Sequence, residues 1–136
     1  MSRKTAREHA FRILFSAQFQ RENADLLINR YFGEETPDEK DLEFVRGEVE
    51  GTITHLESIN EKIEEALEDW KLSRLSHVDL AIFQIAVYEM VYDREIPVSV
   101  SINEAVELAK KYSSDAAPAF VNGVLGTISK ELEAEA

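Results

Sequence analysis

The chain contains no cysteine, which excludes disulfides and thiolate metal sites. Its 136 residues hold only three prolines and five glycines, so few positions interrupt regular structure. No glycine-rich phosphate loop of either common spacing occurs. The histidines, His9, His55 and His77, stand far apart in sequence. None has a glutamate three residues before it, so the Glu-x-x-His pattern of carboxylate di-metal bundles is missing. No apolar run approaches the ~20 residues that span a bilayer. Met1-Ser2-Arg3-Lys4 is followed by no apolar segment of secretory type. These absences argue against an enzyme, a cofactor and a membrane protein. They lead us to expect one soluble, cytoplasmic domain over residues 1–136 that works by binding, with about two thirds of its unfolded surface buried.

The net charge is −12, which by itself opposes phosphate binding, but the charge is unevenly placed. Residues 1–21 carry five basic side chains (Arg3, Lys4, Arg7, Arg12, Arg21) and one acid, Glu8. Residues 22–136 carry ten basic and 26 acidic side chains, and 14 of these acids fall between Glu34 and Asp69. Such asymmetry suits two faces with different partners. It suits equally a solvated acidic surface with a frayed basic terminus.

Apolar spacing is helical almost throughout. In a first helix over about Thr5–Gln20, Ala6, Ala10, Ile13, Leu14 and Ala17 form one row, and Phe11, Phe15 and Phe19 form a second. Together the rows exceed the stripe of a little over ~100° that one-sided packing needs. The helix is therefore sandwiched, or some phenylalanine is left for a partner. A short helix over Asp25–Phe32 ends at Gly33, and Asp38 caps a third with Leu42, Val45, Val49, Ile53 and Leu56 inward. Ser58 is the candidate cap of a fourth, whose stripe is Ile59, Ile63, Ala66, Leu67 and Trp70. Ser76 and Asp79 read as a capping box opening a fifth helix that is apolar all round and hence central. Pro97 turns Ile96 out of the helical region, and Ser101 with Glu104 reads as the next capping box. Pro118 suits the first turn of the seventh helix, which carries Val121, Val124, Leu125, Ile128 and Leu132. Gly123 and Gly126 lie inside that helix, where each costs about 1 kcal/mol relative to alanine. Close helix approach is the expected reason for at least one of them. With no β-pattern, seven helices make an all-α bundle fold.

Arg3, Lys4 and Arg7 at the start of the first helix offer a footprint for phosphates. Lys110 and Tyr112 at the end of the sixth, with Phe120 at the start of the seventh, add cations and aromatic faces that suit single-stranded nucleic acid. The same residues serve equally as core aromatics and solvated lysines. From residues alone, RNA binding and a helical protein-interaction module both stay open.

Several blocks carry a resemblance that covers nearly the whole chain. They are Arg7-Glu8 with its following apolar run, Trp70-Lys71-Leu72-Ser73-Arg74-Leu75, Asp79, Ala86-Val87-Tyr88-Glu89 and Ile96-Pro97. Most specific are Ile102-Asn103-Glu104-Ala105-Val106-Glu107-Leu108-Ala109-Lys110 and Phe120-Val121-Asn122-Gly123-Val124-Leu125. The chain resembles the NusB family of transcription antitermination factors. The resemblance implies two small helical bundles packed across one another and a non-enzymatic RNA-binding factor. Such factors pair with the small ribosomal-subunit protein NusE, bind single-stranded boxA RNA, and help RNA polymerase resist termination, notably on ribosomal RNA operons.

Residue by residue, it places Arg3, Lys4 and Arg7 at RNA phosphates and Phe120 beside a base. It places Phe15 and Asp79, with Phe19 as a further candidate, against NusE. This chain also departs from the family pattern. It has fewer amino-terminal arginines than many relatives, Ala116 and Ala119 where some have an acid and a lysine, and Gln84 for a common arginine. The fold also occurs on some RNA cytosine methyltransferases, but no catalytic cysteine is present here. The rival reading is a helical adaptor, a homodimer included, that binds protein alone. The RNA reading requires the cationic amino-terminal segment to lie alongside the aromatic entrance of the last helix.

Overall fold

The computed structural model describes residues 1–20, 22–68 and 71–136. Arg21, counted in the basic amino-terminal segment, and Asp69 and Trp70, assigned to the acidic run and the fourth stripe, lie outside the described residues. Seven α-helices and no strand occur among the described residues. They are α1 (Arg3–Ala17), α2 (Ala24–Phe32), α3 (Glu39–Thr54), α4 (Leu56–Leu67), α5 (His77–Tyr92), α6 (Val98–Tyr112) and α7 (Ala117–Glu135). A single 3₁₀ turn, Leu72–Arg74, precedes α5.

Helix α5 is the axis of the molecule. Its residues Ala81 to Val87 are buried without interruption, because α1, α3, α4, α6 and α7 all pack on it. This is the arrangement that its apolar circumference requires. Helices α1, α2 and α3 contact one another on one side of α5, and α4, α6 and α7 gather on the other. The result is two small bundles that share a central helix. Phe83, fully buried in α5, is among the largest core side chains. Burial of a side chain this size contributes about 1.5–3 kcal/mol.

Local signals set several helix ends. The side chains of Ser2, Asn23, Asp38 and Ser76 accept from Thr5, Leu26, Asp41 and Asp79 backbone N–H groups, capping α1, α2, α3 and α5. Gly33 ends α2 at φ +59°, a conformation that L side chains rarely adopt. Helix α1 starts two residues before the expected Thr5 because Ser2 is an available cap, and it closes at Ala17.

Three expectations are corrected. Helices α3 and α4 meet directly at His55, so Leu56 opens α4 and is partly exposed instead of ending the α3 stripe. Ser58 lies inside α4, and its hydroxyl pairs with the Tyr92 phenol at 2.8 Å. Ser101 does not cap α6, which already begins at Val98 behind Pro97. Ser101 is buried and its Oγ donates to Glu89 Oε1 at 2.7 Å. The glycines of α7 also differ from expectation. A Cβ at Gly123 or Gly126 would meet nothing within 4 Å, so helix approach explains neither. The close approach is at Gly51 in α3, where an added Cβ would collide with the Tyr88 ring of α5.

Candidate nucleic-acid and partner interfaces

Side chains of the amino-terminal half of α1 reach those of α6, and ion pairs join the two helices. Lys111 Nζ reaches the Glu8 carboxylate at 2.7 and 3.0 Å, and the Tyr112 hydroxyl donates to Glu8 Oε2 at 2.8 Å. Burial opposes the charge on Glu8, but the bonds from Lys111 and Tyr112 outweigh it and hold the carboxyl below the usual range. The same bond to Glu8 pushes the Lys111 ammonium upward. One turn earlier, Lys4 Nζ lies 3.7 Å from Glu104. These contacts frame a cleft of about 260 Å³ lined by Lys4, Arg7, Glu8, Leu108, Lys110 and Lys111, with Glu104 and Glu107.

Lys4, Lys110 and Tyr112 are therefore brought to one face by side-chain contacts between α1 and α6. The face is not a bare cationic strip, because every lysine in it has a carboxylate neighbour: Glu104, Glu107 or Glu8. Tyr112 is half-buried, its ring 5.0 Å from that of Phe11, so one aromatic surface is already used in packing. Arg3, next to Lys4 in sequence, turns the other way. Its guanidinium sits 4.2 Å above the Phe44 ring of α3, in a separate cleft. Phe120 is half-buried one turn into α7 and meets Phe83 edge-on at 5.7 Å. It does not line the Lys4–Lys110 cleft.

Arg7 is the clear departure from the sequence reading. Its side chain is 7% exposed and faces inward, with Nε donating to Glu89 Oε2 at 2.7 Å. Glu48 stands 3.9 Å and Glu104 3.6 Å from the same guanidinium. A guanidinium enclosed by three carboxylates is not presented to solvent phosphates. Arg7 is thus a structural cation that ties α1 to α3, α5 and α6.

The expected partner residues do converge. At the carboxyl end of α1 the Phe15 and Phe19 rings meet edge-on at 5.5 Å, and Phe19 meets His77 at 4.8 Å. Phe19 is 60% exposed, a large apolar side chain left in water. Gln18 clasps His77 twice, donating to its carbonyl at 2.8 Å and pairing with Nδ1 at 2.9 Å. Two residues on, Asp79 Oδ1 accepts from Ser113 Oγ at 2.6 Å, which links the start of α5 to the end of α6. Asp79 therefore joins the aromatic patch to the helix that carries Lys110.

Sequence reading missed Glu48 and the pairing of Glu89. Their signal was present: Glu48 sits within the apolar stripe of α3 between Val45 and Val49, and Glu89 interrupts the apolar run of α5. Charged residues on buried faces need partners. Gln84, standing for a common arginine, is buried and donates to Asn60 Oδ1 of α4 at 3.0 Å. That substitution therefore concerns the core. Ala116 and Ala119 are both exposed. Among the described residues, no cluster of three or more histidine, aspartate or glutamate side chains is placed to hold a metal ion. None of the described helices is long and apolar enough to cross a membrane.

Comparison with known proteins gives a consistent picture. The model of the NusB family matches residues 4–130. The transcription antitermination protein NusB of Bacillus subtilis is 42% identical over 133 residues, covering 98% of this chain and 98% of the relative. The solved structure of T. maritima NusB superposes with a TM-score of 0.89 at 36% identity, over 96% of this chain and 92% of the other. A crystal structure of antitermination factors NusB and NusE in complex with dsRNA contains a chain with a TM-score of 0.85 at 28% identity, covering 95% of this chain and 96% of that one.

Proposed function

Because the chain belongs to the NusB family, we propose that it is a non-enzymatic transcription antitermination factor. With NusE it binds single-stranded boxA-type RNA of nascent transcripts, notably those of ribosomal RNA operons. The complex helps RNA polymerase resist termination, and it does so in the cytoplasm. The observation that carries the reading is the continuity of two surfaces across the Asp79–Ser113 bond. On one side lie Phe15, Phe19 and His77, and on the other α6 with Lys110 and Lys111.

The roles proposed on that geometry draw also on the family resemblance. Phe15, Phe19 and Asp79 form the NusE contact, where an exposed aromatic is covered and an acid meets a cation. Lys4, Lys110 and Lys111 meet phosphates at the cleft, and Tyr112 supplies a ring edge beside a base. Arg3 and Phe120 lie outside that cleft and are met only by a strand that extends beyond it. Because carboxylates already neighbour the lysines of the cleft, the free chain holds RNA weakly. NusE raises the affinity by adding its own surface. With about three phosphate contacts on a single strand, log K falls with log salt at a slope of about −2.

The test is retention of RNA by the purified chain mixed with NusE. A boxA-like oligonucleotide is retained more strongly than a scrambled one of equal length. Equal retention of the two would favour a protein-only adaptor and overturn the RNA reading.

A further inference from the structure

The four-helix junction around Arg7 is unbalanced. Two carboxylates, Glu48 of α3 and Glu89 of α5, approach the same Arg7 Nε at 3.9 and 2.7 Å, and both are almost fully buried. Their surroundings differ sharply. Glu89 accepts from Arg7 on Oε2 and from the Ser101 hydroxyl of α6 on Oε1, so both its oxygens have donors. No donor group hydrogen-bonds to either oxygen of Glu48. The third acid, Glu104 of α6, lies at the edge, where it is shared between Arg7 and Lys4.

An ionised carboxylate buried without donors is costly, and such a group is neutralised by proton uptake before it is tolerated as a charge. Between two neighbouring carboxylates, the one lacking donors is the one that takes the proton. We propose that Glu48 keeps its proton in the folded protein over the pH range in which exposed glutamates lose theirs, making the α1–α3–α5–α6 junction a pH-sensitive clamp. The protonated carboxyl has an O–H to offer the Glu89 carboxylate, and Arg7 then balances Glu89.

The groups that face Glu48 act in the same direction, apart from Arg7. Burial is the largest cause, followed by the hydrogen bond and charge of Glu89 and, more weakly, Asp93. All of these raise the Glu48 carboxyl well above the ordinary 4.5, against the opposing charge of Arg7, while Arg3, Lys40, Glu43 and Glu95 line the same cleft as Glu48. Tyr88 of α5 reports the same local field, since burial and then Glu48, Asp93 and Glu89 all push its phenol upward. When Glu48 ionises, a second buried negative charge stands beside Glu89 with no donor of its own, and the O–H link from α3 to α5 is lost. Because Glu104 bridges Arg7 to Lys4, the clamp also sets where α1 presents Lys4 beside α6.

The sign follows from linkage. A carboxyl raised on folding lends stability that is complete below its unfolded value and is lost as pH climbs through its folded value. Two measurements test this. Carbon-13 NMR of the intact chain with carboxyl-labelled glutamate should show Glu48 titrating above the exposed glutamates. Urea denaturation of the Glu48→Gln variant, a permanent analogue of the protonated acid, should show it gaining on the parent chain as pH rises above about 4.5 and through the folded value of Glu48. A Glu48 resonance that moves with the exposed glutamates overturns the proposal. So does a stability difference that does not change with pH. If the variant fails to fold, the NMR midpoint of the unaltered chain decides alone.

Discussion

Replacing Arg7 with alanine separates two accounts of the amino-terminal helix. If Arg7 were a surface cation for RNA phosphates, its loss would leave stability within about 0.5 kcal/mol. It would also flatten the salt slope by about 0.7. The structure demands a different result. The Arg7 side chain is 7% exposed, and Glu89 and Glu48 beside it are 1% and 2% exposed. Removing the cation leaves the buried Glu89 carboxylate uncompensated, for which the cost is about 3–5 kcal/mol. The Ser101 hydroxyl still donates to Glu89, so the lower figure is the safer expectation. For a urea dependence of about 1–3 kcal/mol per molar, a loss of ~3 kcal/mol lowers the midpoint by at least about 1 M. Circular dichroism followed through a urea titration at neutral pH measures it. An unmoved midpoint together with a flattened salt slope would refute the buried-cation account and return Arg7 to the RNA surface.

Three further outcomes are expected. Phe15→Ala removes the ring that supports exposed Phe19, so NusE association measured by calorimetry should weaken; an unaltered affinity would exclude Phe15 from the interface. Gly51→Ala drives a methyl into the Tyr88 ring and should lower the urea midpoint, since overpacking costs about 1–3 kcal/mol. Gly123→Ala enters open space and should gain up to about 1 kcal/mol, so changes of the same sign in the two variants would contradict the packing. Glu8 has a lowered carboxyl value because Lys111 and Tyr112 outweigh its burial. Its contribution is therefore present above its unfolded value, near 4.5, and is lost as pH falls through its folded value. The advantage of the parent chain over Glu8→Gln should accordingly fade in acid, and an advantage independent of pH would count against the Lys111–Glu8–Tyr112 link.

Periodicity and caps made most of the helical order readable in advance, because both are local. Asp38 and Ser76 cap the helices they precede, Pro97 ends the segment before α6, and the apolar circumference of α5 identifies the axis. The same local rule failed at Ser101-x-x-Glu104 and at Ser58, where tertiary partners claimed the side chains. A hydroxyl that can reach a buried carboxylate gains more there than at a helix end already opened by proline. Phe11, Phe15 and Phe19 were recognised as one row, yet only packing could grade them from buried to exposed.

What the amino-acid order determined alone is the all-helical architecture, the central fifth helix and the family motifs of α6 and α7. These rest on spacing along one chain, which a linear reading captures. The tertiary structure decided which charges are free. Arg3, Lys4 and Arg7 are close in sequence, but one lies on Phe44, one faces α6 and one is buried among carboxylates. Successive positions on a helix point about 100° apart, and whether each direction meets water, an aromatic ring or a buried acid depends on residues distant in sequence.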